Sequence, residues 1–199
     1  MNTNVPPDIV VLAGPNGAGK STAGPALLRD TVGIMEFVNA DTIARGLSAF
    51  EAERAALAAG KVMIRRLRGL AQRRQDFAFE TTFAGRSFAP WLAKLREAGY
   101  GVHVMFLWLP SADFAVARVA DRVRMGGHDI PEETIRRRYR RGLSNFFELY
   151  QPLATTWRMY DNSGAAGPRL VARGTGRRTT RVDDGETWAR VLEGAGREE

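Results

Sequence analysis

Gly14-Pro15-Asn16-Gly17-Ala18-Gly19-Lys20-Ser21 satisfies G-x-x-x-x-G-K-[ST] at every position, and its flanks supply the context that the pattern needs. Before it, the apolar run Ile9-Val10-Val11-Leu12-Ala13 reads as a buried strand; after it, Ser21-Thr22-Ala23 can open a helix. Strand, glycine-rich loop and helix in that order form a phosphate-binding loop, or P-loop. Gly14, Gly17 and Gly19 let backbone N–H groups turn inward where a Cβ would obstruct them. The following helix presents its unpaired N–H groups and positive dipole end to the same anion. On this reading Gly14, Pro15, Asn16, Gly17, Ala18, Gly19, Lys20, Ser21 and Thr22 cradle ATP or GTP. Lys20 neutralises the β- and γ-phosphates, and the Ser21 hydroxyl ligates Mg²⁺. A glycine-rich turn with a chance lysine would leave the flanking strand and helix without a reason.

Working outward, strand and helix alternate. Strands are expected at about Asp8–Ala13, Glu36–Asn39, Phe77–Glu80 and Val102–Leu109, with two more near Arg158–Asn162 and Arg169–Arg173. The segment Val102–Leu109 is almost wholly apolar, as a central parallel strand covered on both faces requires. Helices are expected at Lys20 to about Arg29, Ala49–Gln75, Arg86–Ala98, Ser111–Met125, Pro131–Tyr150 and Gly185–Leu192. In the long second helix, Leu57, Ile64, Leu67 and Ala71 fall at helical spacing on one face. Gly174–Asp184, polar and rich in arginine, reads as a surface loop. Right-handed crossovers between parallel strands then give a five-stranded parallel core ordered 2-3-1-4-5, with helices on both faces. The ligand belongs beyond the C-terminal ends of the strands.

The 199 residues suggest one domain, with a lid at about 111–150 and a charged tail at about 193–199. Hydrophobic residues make up 44% and charged residues 26%, an ordinary globular balance. There is no cysteine, which excludes disulfides and thiolate metal sites. No signal peptide and no membrane-length apolar run is present, so a cytoplasmic location is expected and a membrane partner is not. The net charge is +7, and among 29 basic residues only Lys20, Lys61 and Lys94 are lysine. Arginine suits forked binding of phosphate or carboxylate. The charge alone does not choose between nucleic acid, an acidic protein and small anionic metabolites.

The absence of certain patterns narrows the class. The L-S-G-G-Q signature of ABC ATPases and the N-K-x-D guanine reader of GTPases are missing. Polar groups stand instead at two strand ends, Asn39-Ala40-Asp41 and Glu80-Thr81-Thr82, next to the P-loop on the acceptor side. A carboxylate there can accept the proton of an attacking hydroxyl, which makes Asp41 the candidate base. Asp41 can equally cap the Thr42–Gly46 turn. Glu80 and Thr82 are candidates for substrate or magnesium contact, the alternative being a polar strand exit. Between 118 and 141 lie eight arginines, 118, 122, 124, 136, 137, 138, 140 and 141, against four carboxylates. Two helices joined at Gly126-Gly127 make a lid, with Arg118 and Arg122 on one face to stabilise the transferring phosphoryl. Two or three of the eight are expected on phosphate and the rest on the surface. His128 stands beside the glycines, either within reach of phosphate or without a role. His103 reads as a satisfied core residue, and Leu143, Phe146, Phe147 and Tyr150 as a core stripe. No reader motif and no aromatic interleaving accompany the arginines, so a nucleic-acid-binding ATPase is the lesser alternative.

In this ordered set the chain resembles the zeta toxin family of P-loop kinases. The resemblance runs from Ile9 to about Asn162. It is carried by the P-loop, Phe37-Val38-Asn39-Ala40-Asp41, Phe79-Glu80-Thr81-Thr82, Arg118–Val123, Gly126–Pro131, Arg136-Arg137-Arg138-Tyr139 and Asp161-Asn162-Ser163. It implies a kinase using ATP and Mg²⁺ that phosphorylates a hydroxyl of UDP-N-acetylglucosamine or a related sugar nucleotide, and an antitoxin protein as partner. It implies Asp41 as base, Lys20 and lid arginines on the phosphates, and Glu80 with Thr82 beside the acceptor. Arg86 is a further candidate for the acceptor's phosphates. The chain is shorter than the well-studied toxins, and His128 aligns with a family arginine. The fold leaves other acceptors open, a nucleoside or an antibiotic among them.

Overall fold

The computed structural model describes residues 6–32, 36–47, 52–127 and 129–196. Among these described residues, seven strands form one sheet in the order β2-β3-β1-β4-β5-β6-β7. They are β1 (Asp8–Ala13), β2 (Phe37–Val38), β3 (Phe77–Thr81), β4 (Gly101–Trp108), β5 (Thr156–Asp161), β6 (Arg169–Thr175) and β7 (Arg178–Val182). The first five pair in parallel, in the expected order 2-3-1-4-5. β6 and β7 add an antiparallel hairpin at one edge.

That hairpin corrects the reading of Gly174–Asp184 as a loop. The chain turns at Gly176 (φ +49°) and returns as β7, whose residues are nearly all exposed. An edge strand with no core to cover carries polar side chains, so its sequence lacks the apolar signature of the inner strands.

Helices α1 (Lys20–Val32), α2 (Ala40–Leu47), α3 (Ala52–Gln72), α4 (Phe88–Glu97), α5 (Ala112–Arg124), α6 (Glu132–Asn145) and α7 (Gly185–Gly194) cover the sheet. Because strand side chains alternate between faces, β1 feeds two cores. Ile9, Val11 and Ala13 join α3, α4, α7 and the end of α6 on one face. Val10 and Leu12 join α1, α5 and Ile135 of α6 on the other. The expected stripe on α3 holds in part: Leu67 is buried and Ala71 packs against the core. Leu57 is 83% exposed and Ile64 41% exposed, whereas Ala59, Met63, Leu67 and Leu70 are buried. Helical spacing fits either row, and packing against α2 and β2 covers the one that includes Met63 and Leu70. Beyond α6 the chain widens into a π turn, Phe146–Tyr150, where adjacent Phe146 and Phe147 both enter the core. Among the described residues no helix is long and apolar enough to cross a membrane.

Candidate active site

The P-loop leaves β1 at Gly14, whose φ of +140° takes the backbone across β4; a Cβ there would meet the Leu107 carbonyl at 2.3 Å. Gly19 (φ +77°) lies so close to Asn162 that a Cβ would stand 2.6 Å from its Nδ2. Asn162, buried just beyond β5, donates from Nδ2 to the Ala18 carbonyl at 2.8 Å. Its own carbonyl accepts from Arg118 at 2.7 Å. One asparagine therefore braces the loop from beneath and ties it to α5. Nothing in the local sequence around Gly14–Ser21 announces that strut.

Lys20 is buried and spans the loop, its Nζ donating to the carbonyls of Gly14 at 2.9 Å and Pro15 at 2.8 Å. Glu80 lies 3.8 Å from the same ammonium. Burial holds the Lys20 pKa below its ordinary value, and nearby Arg122 and Arg138 push the same way. Glu80 and Asp41 oppose them.

The parallel register Val38↔Phe79 brings the residue after β2 level with the end of β3. Buried Asn39 thus meets Glu80, its Nδ2 donating to Oε2 at 2.7 Å. Ser21 Oγ donates to the same Glu80 oxygen at 3.0 Å. Asn39 Oδ1 accepts from the backbone N–H groups of Asp41 at 2.7 Å and Thr42 at 3.2 Å. The capping side chain of α2 is therefore Asn39, and Asp41, considered as a cap from the sequence, lies in the first turn with its side chain exposed. Its charge acts on both Lys20 and Arg138.

On the expected acceptor side, Thr82 opens a tight loop after β3. Its Oγ1 accepts from Ala84 N at 3.4 Å. Asn145 donates to the Phe83 carbonyl at 2.7 Å, and Tyr150 donates to that of Gly85 at 2.7 Å while stacking on Phe83. Burial pushes the Tyr150 phenol up to about 12, with Arg86 acting against it. The loop is pinned, and Arg86 is exposed beside it.

The arginines divide. Arg138 on α6 donates to the loop side chain Asn16 at 3.4 Å. Its neighbour Tyr139 anchors the helix by donating to the Leu109 carbonyl at 2.8 Å. Arg118 is bound to the carbonyls of Asn162 and Ser163 and lies over the Phe114 ring. Arg122 is near enough to Lys20 to depress its pKa. Arg136 pairs with Asp113 and Glu132, and Arg124 with Asp121, on the outer surface. Arg137, Arg140 and Arg141 are exposed. His128 lies outside the described residues. His103, read as a satisfied core residue, is partly exposed and contacts Thr156 at 2.7 Å and Asp8 at 3.1 Å at the opposite end of the sheet.

No cluster of three or more His, Cys, Asp or Glu suited to a metal occurs among the described residues. Magnesium beside phosphates does not need one: it accepts one or two hard oxygen ligands and keeps its waters. The Ser21 hydroxyl and Glu80 carboxylate, together at the P-loop, are a donor set of that kind.

A parallel 2-3-1-4-5 core carrying a Gly-Lys-Ser loop at its C-terminal end, under arginine-bearing helices, defines a P-loop kinase-like fold. The chain belongs to the AAA domain family AAA_33, which matches residues 9–145. An uncharacterized protein of Haemophilus influenzae is 28% identical over 130 residues, covering 65% of this chain and 91% of that one. The AvrRxo1-ORF1:AvrRxo1-ORF2 complex with sulphate ions has a TM-score of 0.71 at 17% identity. That match covers 94% of this chain, which spans 64% of the AvrRxo1 chain. The PezAT chromosomal toxin-antitoxin system of Streptococcus pneumoniae has a TM-score of 0.68 at 14% identity, covering all of this chain and 82% of that one. The resemblance to zeta toxin kinases drawn from the sequence holds at the level of fold.

Proposed function

We propose that the protein is an ATP- and Mg²⁺-dependent kinase that transfers the γ-phosphoryl group to a hydroxyl of a small molecule. The observation that carries this reading is the convergence of Lys20, Ser21, Glu80 and Arg138 on the P-loop, with the exposed Asp41 carboxylate coupled electrostatically to Lys20 and Arg138. An AvrRxo1-ORF1:-ORF2 structure of the same fold was solved with ATP, at a TM-score of 0.69 and 17% identity. ATP lies with its phosphates over Gly14–Thr22. Lys20 and Arg138 take up charge on the transferring group, and Arg118 and Arg122 complete the cationic wall. Ser21 and Glu80 hold Mg²⁺, which when bound neutralises charge on the β- and γ-phosphates. The acceptor oxygen bonds to the γ-phosphorus as the bond to the β-bridging oxygen breaks, and Asp41 receives the hydroxyl proton. ADP and a phosphate ester result.

The acceptor we propose is UDP-N-acetylglucosamine or a related sugar nucleotide, contacted by Asp41, Glu80, Thr82 and Arg86. The zeta-toxin-like motifs support it, as does the exposed Arg86 beside the pinned loop after β3. The toxin-antitoxin system sharing the fold and the net charge of +7 support a further reading, a toxin held by an acidic antitoxin protein. Incubating the protein with Mg²⁺-ATP and a panel of metabolites, and reading phosphate addition by mass spectrometry, tests the acceptor. Phosphate on a nucleoside or antibiotic, with none on a sugar nucleotide, rejects that assignment. Unimpaired growth on strong expression of the active protein rejects the toxin role.

A further inference from the structure

From the side-chain bonds of Asn39 we infer that it is a positioning residue, which sets the magnesium-side and base-side groups of the site in a fixed relation. The inference rests on the kinase reading above and assigns a role to a residue outside the proposed reacting groups. Asn39 is 6% exposed, and both ends of its amide are used. Nδ2 donates to Glu80 Oε2 at 2.7 Å and lies 3.4 Å from Ser21 Oγ, which itself donates to that oxygen. Oδ1 takes the N–H groups of Asp41 and Thr42 and so starts α2. A rigid planar group about one residue wide thus joins the end of β3 and the start of α1 to the turn that carries Asp41.

Chemistry explains the choice of residue. Aspartate would cap α2 as well, but it would set a second carboxylate against Glu80. Serine and threonine would also cap, yet they are too short to reach across to Glu80. Only an amide supplies an acceptor for the helix and a donor for the carboxylate from one short side chain; glutamine adds a methylene that moves both. Holding Glu80 by one oxygen leaves its other oxygen, Oε1, directed to Lys20 and the P-loop.

The test separates capping from positioning. Asn39→Ser keeps the cap and removes the clamp, and Asn39→Ala removes both. With Asn39→Ser we expect a smaller loss of melting temperature than with Asn39→Ala, which gives up the cap as well, and nucleotide affinity in EDTA unchanged. The Mg²⁺ concentration that half-saturates the magnesium-dependent gain in ATP affinity should rise about 10-fold, the size of effect seen when a partner of a metal ligand is lost. On the nucleotide-free protein, the Asn39 side-chain amide protons should exchange slowly and become fast in Glu80→Ala. Asn39→Ser with an unaltered Mg²⁺ requirement, or Asn39 amide exchange indifferent to Glu80→Ala, overturns the inference while leaving the kinase reading standing. Failure of the wild-type protein to bind nucleotide in calorimetry overturns both.

Discussion

Replacing Asn162 with alanine removes the strut beneath the P-loop while leaving every proposed ligand of the nucleotide in place. The bond lost is Asn162 Nδ2 to the Ala18 carbonyl, 2.8 Å long and buried. The bond from Arg118 to the Asn162 carbonyl is made by the backbone and survives the substitution. An acceptor left without its buried donor costs about 1–3 kcal/mol, so about 2 kcal/mol is the central expectation. In a chain of this size 1 kcal/mol lowers the melting temperature by roughly 2–4 °C, so the variant should melt about 4–8 °C below wild type. Gly19 packs on the same amide, and its release loosens the loop that binds phosphate. Thermal unfolding followed with and without Mg²⁺-ADP should therefore show a second effect, a smaller upward shift on adding nucleotide. A melting temperature within about 1 °C of wild type, together with an undiminished nucleotide shift, would refute the strut.

Lys20→Met should abolish nucleotide binding and remove a pH dependence from the stability of the free protein, because burial depresses the Lys20 pKa in the folded state. Between that depressed value and the ordinary 10.5 the unfolded chain binds more protons, so wild-type stability from this group rises with pH. Wild-type stability relative to the variant should rise as pH approaches 10.5, and a difference between the two that does not change with pH counts against the argument. Asp41→Asn should lower turnover by about 10²–10⁴-fold with unchanged melting temperature, since Asn39 caps α2; near-normal turnover on the true acceptor removes Asp41 from the mechanism. Arg138→Ala should slow phosphoryl transfer, whereas Arg136→Ala, which loses only surface pairs with Asp113 and Glu132, should not. Steady-state kinetics of the two side by side check the division, and equal losses would defeat it.

The P-loop and the parallel core were legible because their signals are local. Glycine is favoured where φ is positive, as at Gly14, Gly17 and Gly19, and a strand covered on both faces is largely apolar, as Val102–Leu109 is apart from His103. The β6–β7 hairpin was not legible, because an edge strand exposed to water carries the same arginines and threonines as a surface loop. The buried face of α3 was legible only in part, at Leu67 and Ala71, for a related reason. Leu57 and Ile64 obey helical spacing as well as Met63 and Leu70 do, and only the neighbours decide which row is covered. In the candidate site, sequence singled out Asp41, Glu80, Lys20 and Ser21, all next to strand ends. It placed Asn39 and Asn162 within motifs but gave neither a role, because their partners lie 41 and 144 residues away.

By itself, then, the sequence determined the phosphate loop, the alternation that makes a parallel sheet, and the acidic and basic residue types available near the C-terminal strand ends. Those follow from backbone conformation and side-chain periodicity within a few residues of each other. Tertiary structure alone decided which asparagine holds Glu80 and caps α2, which one braces Ala18, and that Arg138 faces the loop while Arg136 faces water. These are matters of register and approach. Val38 pairing with Phe79 puts Asn39 level with Glu80, and the anchoring of Tyr139 on Leu109 sets which side of α6 meets Asn16. No spacing along the chain encodes contacts made across a sheet or between helices, because they depend on how separate elements pack.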